Sequence, residues 1–222
     1  QDKFDVSASG CTALIALLVK STLYVANVGD SRGVLAHLSN PNAHQGPDRE
    51  QLTVLPLTTD QVPGLKEERE RIEGYGGQVR RDESTLTGEQ GPYRVWRPDM
   101  QGPGLAMSRS LGDTIAHDIG VTHLPTIREY GVTETDRMLL LATDGVWDML
   151  ENGEAVDIAA RASGDCKCDP SHAAQQLCDT ARRAWEFKEA RIDDITAVLV
   201  FLPPPAPRPP IRHPSPTPAL SQ

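Results

Sequence analysis

The sequence is poor in aromatic residues and in cysteine, and it has no long apolar run. Aromatic residues make up 5% of the 222 residues, and 4 residues are cysteine. The longest apolar segments, 13–19 and 138–142, have the length of single strands, whereas a membrane-spanning helix needs about 20 apolar residues. We therefore expect no membrane span and an intracellular protein, cytoplasmic or nuclear, whose thiols are reduced.

A surplus of basic residues is also missing. Lys and Arg number 22 against 31 Asp and Glu, so the formal net charge is −9. A protein that binds nucleic acid or an anionic membrane surface through charge would show the opposite balance, which argues against both kinds of partner. Abundant carboxylates are instead the ligands that hard divalent cations require.

The few cysteines form no familiar metal motif. Cys11 adjoins an apolar, strand-like run, which predicts a buried free thiol. The other three cysteines and one histidine fall in a short segment: Cys166, Cys168, His172 and Cys178. Their spacing matches no common zinc pattern, so structural zinc is kept only as an alternative to free thiols.

The composition changes abruptly at Pro203. Residues 203–222 contain nine of the 18 prolines, which excludes a helix or an interior strand and leaves little to bury. We therefore divide the chain into a folded domain, 1–202, and a proline-rich tail, 203–222. The tail is expected to be disordered, polyproline-like and passive, with docking on an aromatic-lined groove of a partner as the alternative.

The pattern within 1–202 is a series of strands followed by helices, without regular alternation, which predicts an α+β fold. Strands are predicted at 12–19, 23–27, 34–38, 52–57, 127–130, 137–142 and 195–201. Helices are predicted at 64–75, at 152–163 and from Pro170, the last with a core-facing stripe. Residues 78–104 are polar and rich in glycine and proline, and part of them is expected to be a hairpin.

Carboxylates recur at the ends of the most apolar predicted strands. Asp144 follows 138–143, Asp193 and Asp194 precede 195–201, and Asp30 follows 23–28. Acidic side chains at neighbouring strand ends repel one another unless a cation lies among them, and a divalent cation with oxygen ligands is the natural candidate. Each of these acids taken alone is more simply an ordinary turn residue.

Two further features have simple interpretations. The charged run 66–71 is interpreted as a solvated helix face with ion pairs between successive turns. Trp147 is interpreted as a core residue rather than as a platform for a ligand.

Taken in order, these motifs resemble the metal-dependent Ser/Thr protein phosphatases of type 2C. The matching segments are 9–13, 26–32, 57–60, 68–77, 104–113, 141–148 and 193–200. The most specific are Gly29–Arg32, which reads Gly-Asp-Ser-Arg, and Leu141–Asp148, which reads Leu-Ala-Thr-Asp-Gly-Val-Trp-Asp.

The resemblance implies a fold, a cofactor and site residues. It implies an antiparallel β-sandwich flanked by helices on both sides and a binuclear Mn²⁺ or Mg²⁺ centre at one end. Asp144 and Asp193 are implied as direct metal ligands, and Asp30 as a ligand of a weaker site. Asp194 stands where the family usually has Asn, which makes it a further candidate. The residues after Asp60, through the predicted helix near Glu68 to Ile72, are implied to contribute to a flap beside the cleft.

The implied activity is hydrolysis of phosphoserine and phosphothreonine on proteins by a water that two cations activate. Nothing in the chain resembles Cys-x₅-Arg or a P-loop, which argues against a covalent phosphatase and a nucleotide hydrolase. Phosphorylated proteins are then the expected partners, and the intact protein is expected to be monomeric.

Two N-terminal motifs of the family, Arg-x-x-x-Glu-Asp and Asp-Gly-His-Gly, do not occur in this sequence, whose first residue is Gln1. We therefore expect a C-terminal portion of the catalytic domain, with weak activity and with uncovered edges and apolar faces. The alternative is a pseudophosphatase or interaction module that keeps the fold without the reaction. A third hypothesis is a stably folded truncation with neither role.

Overall fold

The computed structural model describes residues 5–39, 51–83, 90–99, 102–165, 169–188 and 191–202. The strands are β1 (Gly10–Cys11), β2 (Ala13–Val19), β3 (Thr22–Val28), β4 (Arg32–Leu38), β5 (Leu52–Pro56), β6 (Gln78–Glu83), β7 (Gln90–Trp96), β8 (Pro103–Leu105), β9 (Leu111–Gly112), β10 (Thr126–Gly131), β11 (Asp136–Ala142) and β12 (Ala197–Phe201). The helices are α1 (Lys66–Gly74), α2 (Thr114–His117), α3 (Asp144–Trp147), α4 (Asn152–Asp165) and α5 (Pro170–Phe187).

Two antiparallel sheets pack face to face. The first sheet has the order β10-β3-β2, and the second has the order β12-β11-β4-β5. Side chains alternate along β3, so that Leu23 and Val25 point inward and are each 2% exposed. They meet Leu35 of β4 and Leu139 of β11 in a common apolar cluster. This cluster is the core of the predicted sandwich.

Helices α4 and α5 cover the other face of the second sheet. Met138 and Leu140 of β11 point to this side and join a second cluster with alanines of α4 and with Leu177 of α5. Because β11 contributes to both clusters, it is buried on both faces, as its nearly uninterrupted apolar sequence predicts. The core-facing stripe predicted for α5 comprised Ala174, Leu177, Cys178, Ala181, Ala184 and Trp185. Leu177 and Ala181 are fully buried and the other four are half-buried, while Ala173, outside the predicted stripe, is fully buried as well.

A third sheet, β6-β7-β8, packs with α1 and α2 around Ile72, Val79 and Val95. The hairpin expected within 78–104 is β6 and β7, which pair antiparallel from Gln78 opposite Trp96. Residues 84–89 and 100–101 of that segment lie outside the described residues, as do 166–168 and the predicted tail at 203–222.

The predicted α+β class is therefore confirmed, and most predicted elements lie within a few residues of the observed ones. One local prediction is wrong: Cys11 is an exposed free thiol, because the short β1 pairs with β9 at the surface and, in the described ranges, nothing buries the Cys11 side chain. Cys178 is a half-buried free thiol. Among the helices in the described ranges, none is long and apolar enough to cross a membrane.

The charged run 66–71 is interpreted from the sequence as a solvated helix face. In the structure, part of that face of α1 is buried. Glu68 is 4% exposed, and its carboxylate accepts from the Arg71 and Arg109 guanidinium groups at 2.8 and 2.6 Å. Ser108 Oγ donates to the same carboxylate at 2.5 Å. Burial by itself raises the pKa of Glu68, but these donors outweigh it and bring the pKa to about 2. Glu68 thus ties α1 to the segment that precedes β9.

We expect Glu68→Gln to destabilise the fold at pH 7, because it leaves the Arg71 and Arg109 charges without their buried partner. The expected loss is about 3 kcal/mol of unfolding free energy, measured by urea denaturation. The wild type should lose a similar amount as the pH falls from about 4.5, the usual pKa of the side chain, to about 2. The variant should lack that loss.

The control for Glu68 is Glu70→Gln, since Glu70 makes only a 3.8 Å pair with Lys66 at the surface. Its effect should stay below about 0.5 kcal/mol. Equal effects of the two substitutions would show that the burial of Glu68 has no energetic importance.

The outer face of the first sheet is exposed and apolar. Ile15 and Leu17 of the edge strand β2 are 61% and 57% exposed, and Ile127 of β10 is 63% exposed. Helices α3, α4 and α5 pack on the second sheet, and α1 and α2 pack on the third. In the described ranges, the flanking predicted for both sheets of the sandwich is therefore observed on one. Uncovered apolar faces are expected from the sequence, and the exposed outer face of the first sheet agrees with that expectation.

We expect Ile15→Thr combined with Leu17→Thr to reduce self-association of the chain with little cost in stability, because both side chains point to solvent. Light scattering measures the first effect and thermal unfolding the second. Val25→Thr, on the inward face, is the control and should cost about 1–3 kcal/mol. An equal stability loss in the surface variant would contradict the exposure of this face.

Candidate metal centre

The register of β11 brings distant acidic segments to one edge of the second sheet. Ala142, its last residue, pairs with Arg32 of β4 on one side and with Ala197 of β12 on the other. Both neighbours run antiparallel to β11, so they begin where it ends. Asp144 follows that edge, whereas Asp30 and Asp193 lie just before β4 and β12. The sequence prediction placed these three acids at strand ends, and the strand ends meet.

The carboxylates at this edge repel one another. Burial raises the pKa of Asp144, and the charges of Asp193 and Asp148 raise it further. Burial also raises the pKa of Asp30, and with the charges of Asp144, Asp60 and Asp148 it reaches about 6. Close, like-charged and partly desolvated acids have this effect on each other. The group therefore forms one electrostatic unit of negative charge.

Sequence reasoning missed two members of the unit. Asp60, in the matching segment 57–60, and Asp148, in the segment 141–148, were both quoted as parts of motifs without a role. The signal for Asp148 is its position four residues after Asp144 in a helical turn, since that spacing places two side chains on the same side. Asp60 carried no comparable signal.

The segment before β12 is hydrogen-bonded to Thr143, the residue that precedes α3. Thr143 Oγ1 donates to the Asp194 carbonyl at 3.0 Å and accepts from the Thr196 amide at 3.1 Å. A side chain on Gly145 would collide with the same Asp194 carbonyl, so only glycine fits there. These contacts hold the Asp193 segment beside Asp144.

Asp193 and Asp194 differ in what they contribute. Both are exposed, and the charge of Asp193 acts on Asp144. The Asp194 amide donates to the Asp193 carboxylate at 2.8 Å, and the Asp194 carbonyl makes the contacts with Thr143 and Gly145. Of the two acids, Asp193 is therefore the one whose charge acts on the cluster, whereas Asp194 meets it through its backbone.

Arg32 is a cation that pairs with one acid of this edge, Asp60. Its guanidinium group donates to both Asp60 oxygens, at 3.0 and 2.6 Å, and to the Asn152 side chain at 2.8 Å. The same group lies over the Trp147 ring, 5.2 Å from its centroid. Trp147 is 7% exposed, which confirms its interpretation as a core residue. Arg32 thus fixes Asp60 and the start of α4 but leaves Asp30, Asp144 and Asp193 unpaired by it.

The donor set fits a hard divalent cation in charge and in chemistry. The ligands on offer are carboxylate and carbonyl oxygens, and their mutual repulsion is what a bound cation would relieve. Within the described ranges, however, no three His, Cys, Asp or Glu side chains are grouped closely enough to hold one ion. The described residues therefore present a partial set of ligands. The alternative zinc cluster stays a prediction, because Cys166 and Cys168 lie outside those ranges.

We expect Asp144→Asn to lower the pKa of Asp30, because the Asp144 charge is the largest cause of its elevation after burial. Carboxyl ¹³C chemical shifts, followed by NMR over pH 3–8 without metal, measure the change. Asp157→Asn, on the exposed side of α4, is the control and should leave the Asp30 titration unchanged. An Asp30 midpoint that is equal in both variants would mean that the two carboxylates do not interact.

Comparison with known proteins gives a consistent answer. The family model of protein phosphatase 2C matches residues 1–185. The chain is 44% identical over 201 residues to probable protein phosphatase 2C 48 of Oryza sativa subsp. japonica, covering 90% of this chain and 53% of the relative. It is 41% identical over 201 residues to probable protein phosphatase 2C 34 of Arabidopsis thaliana, covering 90% of this chain and 51% of the relative. It spans about half the length of these curated relatives.

A solved structure agrees with these matches. The serine-threonine phosphatase 2C of Toxoplasma gondii superposes with a TM-score of 0.72 at 28% identity, covering 86% of this chain and 58% of that one. The resemblance carried by the ordered motifs is thereby confirmed. The implied antiparallel α+β fold is confirmed too, with helices observed on one sheet of the sandwich in the described ranges. The chain belongs to the protein phosphatase 2C family.

Proposed function

We propose that the protein to which this chain belongs is a metal-dependent protein phosphatase, which hydrolyses phosphoserine and phosphothreonine with Mn²⁺ or Mg²⁺. Family membership supports the reaction class. The observation that carries the proposal is the meeting of Asp30, Asp144 and the Asp193 segment at the end of β11, with the pKa of Asp30 and Asp144 raised by their neighbours.

In this proposal Asp144 and Asp193 bind the ions directly, and Asp30 belongs to a weaker site. Asp194 contributes through its backbone rather than as a direct ligand. When bound, the cations supply Lewis acidity, which makes water nucleophilic at neutral pH and spreads the charge of the phosphoryl group. No cysteine or serine nucleophile is required.

The residues of this chain prepare that site in two ways. Burial and packing of β11 and α3 hold Asp144 rigidly, and the contacts of Thr143 and Gly145 fix the Asp193 segment beside it. The elevated pKa of Asp30, about 6, means that cation binding near or below that pH displaces a proton. Metal affinity should therefore rise with pH between about 5 and 7 for the Asp30 site.

We also propose the remaining assignments that rest on sequence alone. They are phosphorylated proteins as substrates, a monomeric intact protein, an intracellular location, a domain over 1–202 and a tail over 203–222 that is passive or docks on a partner. The weak activity expected of the 222-residue chain belongs to the same group. Its partial ligand set supports that expectation.

The alternative is an interaction module that keeps the fold without catalysis. One observation favours it: across the residues that the structure describes, no complete three-ligand group is present. The two functions differ in turnover and not in fold, so an activity measurement separates them.

In the longest natural form of the protein, Asp144→Ala and Asp193→Ala should each lower Mn²⁺-dependent phosphate release from a phosphothreonine peptide at least about 100-fold. Phosphate release at fixed pH and Mn²⁺ concentration measures this. Asp157→Ala, an exposed Asp on α4, is the matched control and should retain activity.

The same assay decides between the two functions. Activity like that of the wild type in both variants would overturn the proposed metal ligands. A wild type that binds Mn²⁺ by calorimetry but releases no phosphate from any phosphopeptide would favour the interaction module. For the 222-residue chain itself we expect weak Mn²⁺ binding and nearly no turnover, and micromolar or tighter binding would contradict this.

A further inference from the structure

The turn that carries Asp30 is held in an unusual backbone conformation. Gly29 has φ of +100°, a region that favours glycine, and the Thr12 side chain occupies the place where a Cβ would lie. Gly29 is buried, and its N–H donates to a side chain at 2.6 Å rather than to a neighbouring strand. The conformation of this turn determines where the Asp30 carboxylate points.

The acceptor of that bond is Gln61, a residue that no motif of the sequence singled out. Gln61 is 3% exposed, and every polar atom of its side chain is used. Its Oε1 accepts from the Gly29 amide at 2.6 Å, and its Nε2 donates to the Asn27 carbonyl at 3.1 Å and to Thr126 Oγ1 at 3.0 Å. One amide group therefore bridges the end of β3, the turn after it and the start of β10.

The backbone of Gln61 strengthens the same attachment. Its N–H donates to the Gly29 carbonyl at 3.0 Å, and that carbonyl also accepts from Asn27 Nδ2 at 3.0 Å. Both polar atoms of Gly29 are thus bonded to Gln61, which stands next to Asp60 of the acidic cluster. Buried polar groups that are fully satisfied in this way hold a single conformation.

The hydrogen bonds of Gln61 extend toward α1. The Gln61 carbonyl accepts from the Ser108 amide at 2.8 Å, and Ser108 Oγ donates a hydrogen bond to the buried Glu68 carboxylate. Arg109 connects Thr126 Oγ1, at 3.3 Å, with the same carboxylate. The Gly29–Asp30 turn is therefore linked through Gln61 to the buried ion network of α1.

We propose that Gln61 is a positioning residue that fixes the Gly29–Asp30 turn, so that the Asp30 carboxylate faces Asp144. It touches no reacting atom in this proposal. The proposal deepens the proposed function and rests on it only where the metal is concerned, because the bracing of the turn can be measured without any metal.

The first test is hydrogen exchange in the 222-residue chain with Gln61→Met, which keeps the length of the side chain and removes its polar atoms. The Gly29 amide should exchange about 10- to 100-fold faster, because the Gln61 Oε1 acceptor of its hydrogen bond is lost. The Leu140 amide, in the centre of β11, reports global unfolding and should change much less. Equal acceleration at both amides, or none at Gly29, would overturn the proposal.

The second test uses Mn²⁺ alone and follows paramagnetic broadening of amide signals by NMR. In the wild type, the Asp30 amide should broaden at a higher Mn²⁺ concentration than the Gly145 amide, because Asp30 belongs to the weaker proposed site. In Gln61→Met, the Asp30 amide should need about 10-fold more Mn²⁺, whereas Gly145 should not change. Parallel behaviour of the two amides in the variant would overturn the positioning role.

Controls keep the two proposals separable. Gln175→Met, on the exposed side of α5, should change neither readout. If Gln61→Met does not fold, Thr126→Val replaces it: this isosteric change removes one acceptor of Gln61 Nε2 and should accelerate Gly29 exchange more than Leu140 exchange. If Mn²⁺ broadens no signal in the wild-type 222-residue chain, the expected weak Mn²⁺ binding of this chain is wrong, and Gly29 exchange alone decides the role of Gln61.

Discussion

Strand β11 is bonded to a neighbour on each side, and its antiparallel register with both determines where the acidic turns lie. Its last residue pairs with the first residues of β4 and β12, so segments far apart in sequence meet at one edge. The register is enforced by burial on both faces, since Leu139 is 4% and Leu140 0% exposed. A slip of one residue would turn these side chains to the wrong faces. Core packing therefore places the carboxylates.

Away from the strands, buried polar side chains fix the positions of the loops. Glu68 and Gln61 are nearly inaccessible, and each satisfies its polar atoms with partners from several segments. Leaving one buried donor or acceptor without a partner costs about 1–3 kcal/mol, so such networks strongly favour one arrangement of the loops. They connect the third sheet and α1 to the turn that carries Asp30, which the apolar clusters alone do not.

The sandwich and three of its acids could be predicted because apolar runs end abruptly at Asp30 and Asp144 and begin just after Asp193. Glu68 could not, because it lies in a run of alternating charges, and its burial depends on Arg109, some forty positions away. Gln61 gave no signal, since a neutral amide near a turn is common. The same limit explains Cys11: an apolar neighbourhood in sequence predicts burial, but burial depends on what packs over a strand.

Two of the three tryptophans lie where β11 ends. Trp147 Nε1 donates to the Ala142 carbonyl at 2.9 Å, and Trp185 Nε1 donates to the Gly145 carbonyl at 2.8 Å. The two indoles are therefore hydrogen-bonded to the backbone on either side of Asp144. Indole emission responds to nearby charge and to the state of the N–H. The chain therefore carries a built-in fluorescent reporter, and any event that moves or neutralises Asp144 should alter its spectrum without an added dye.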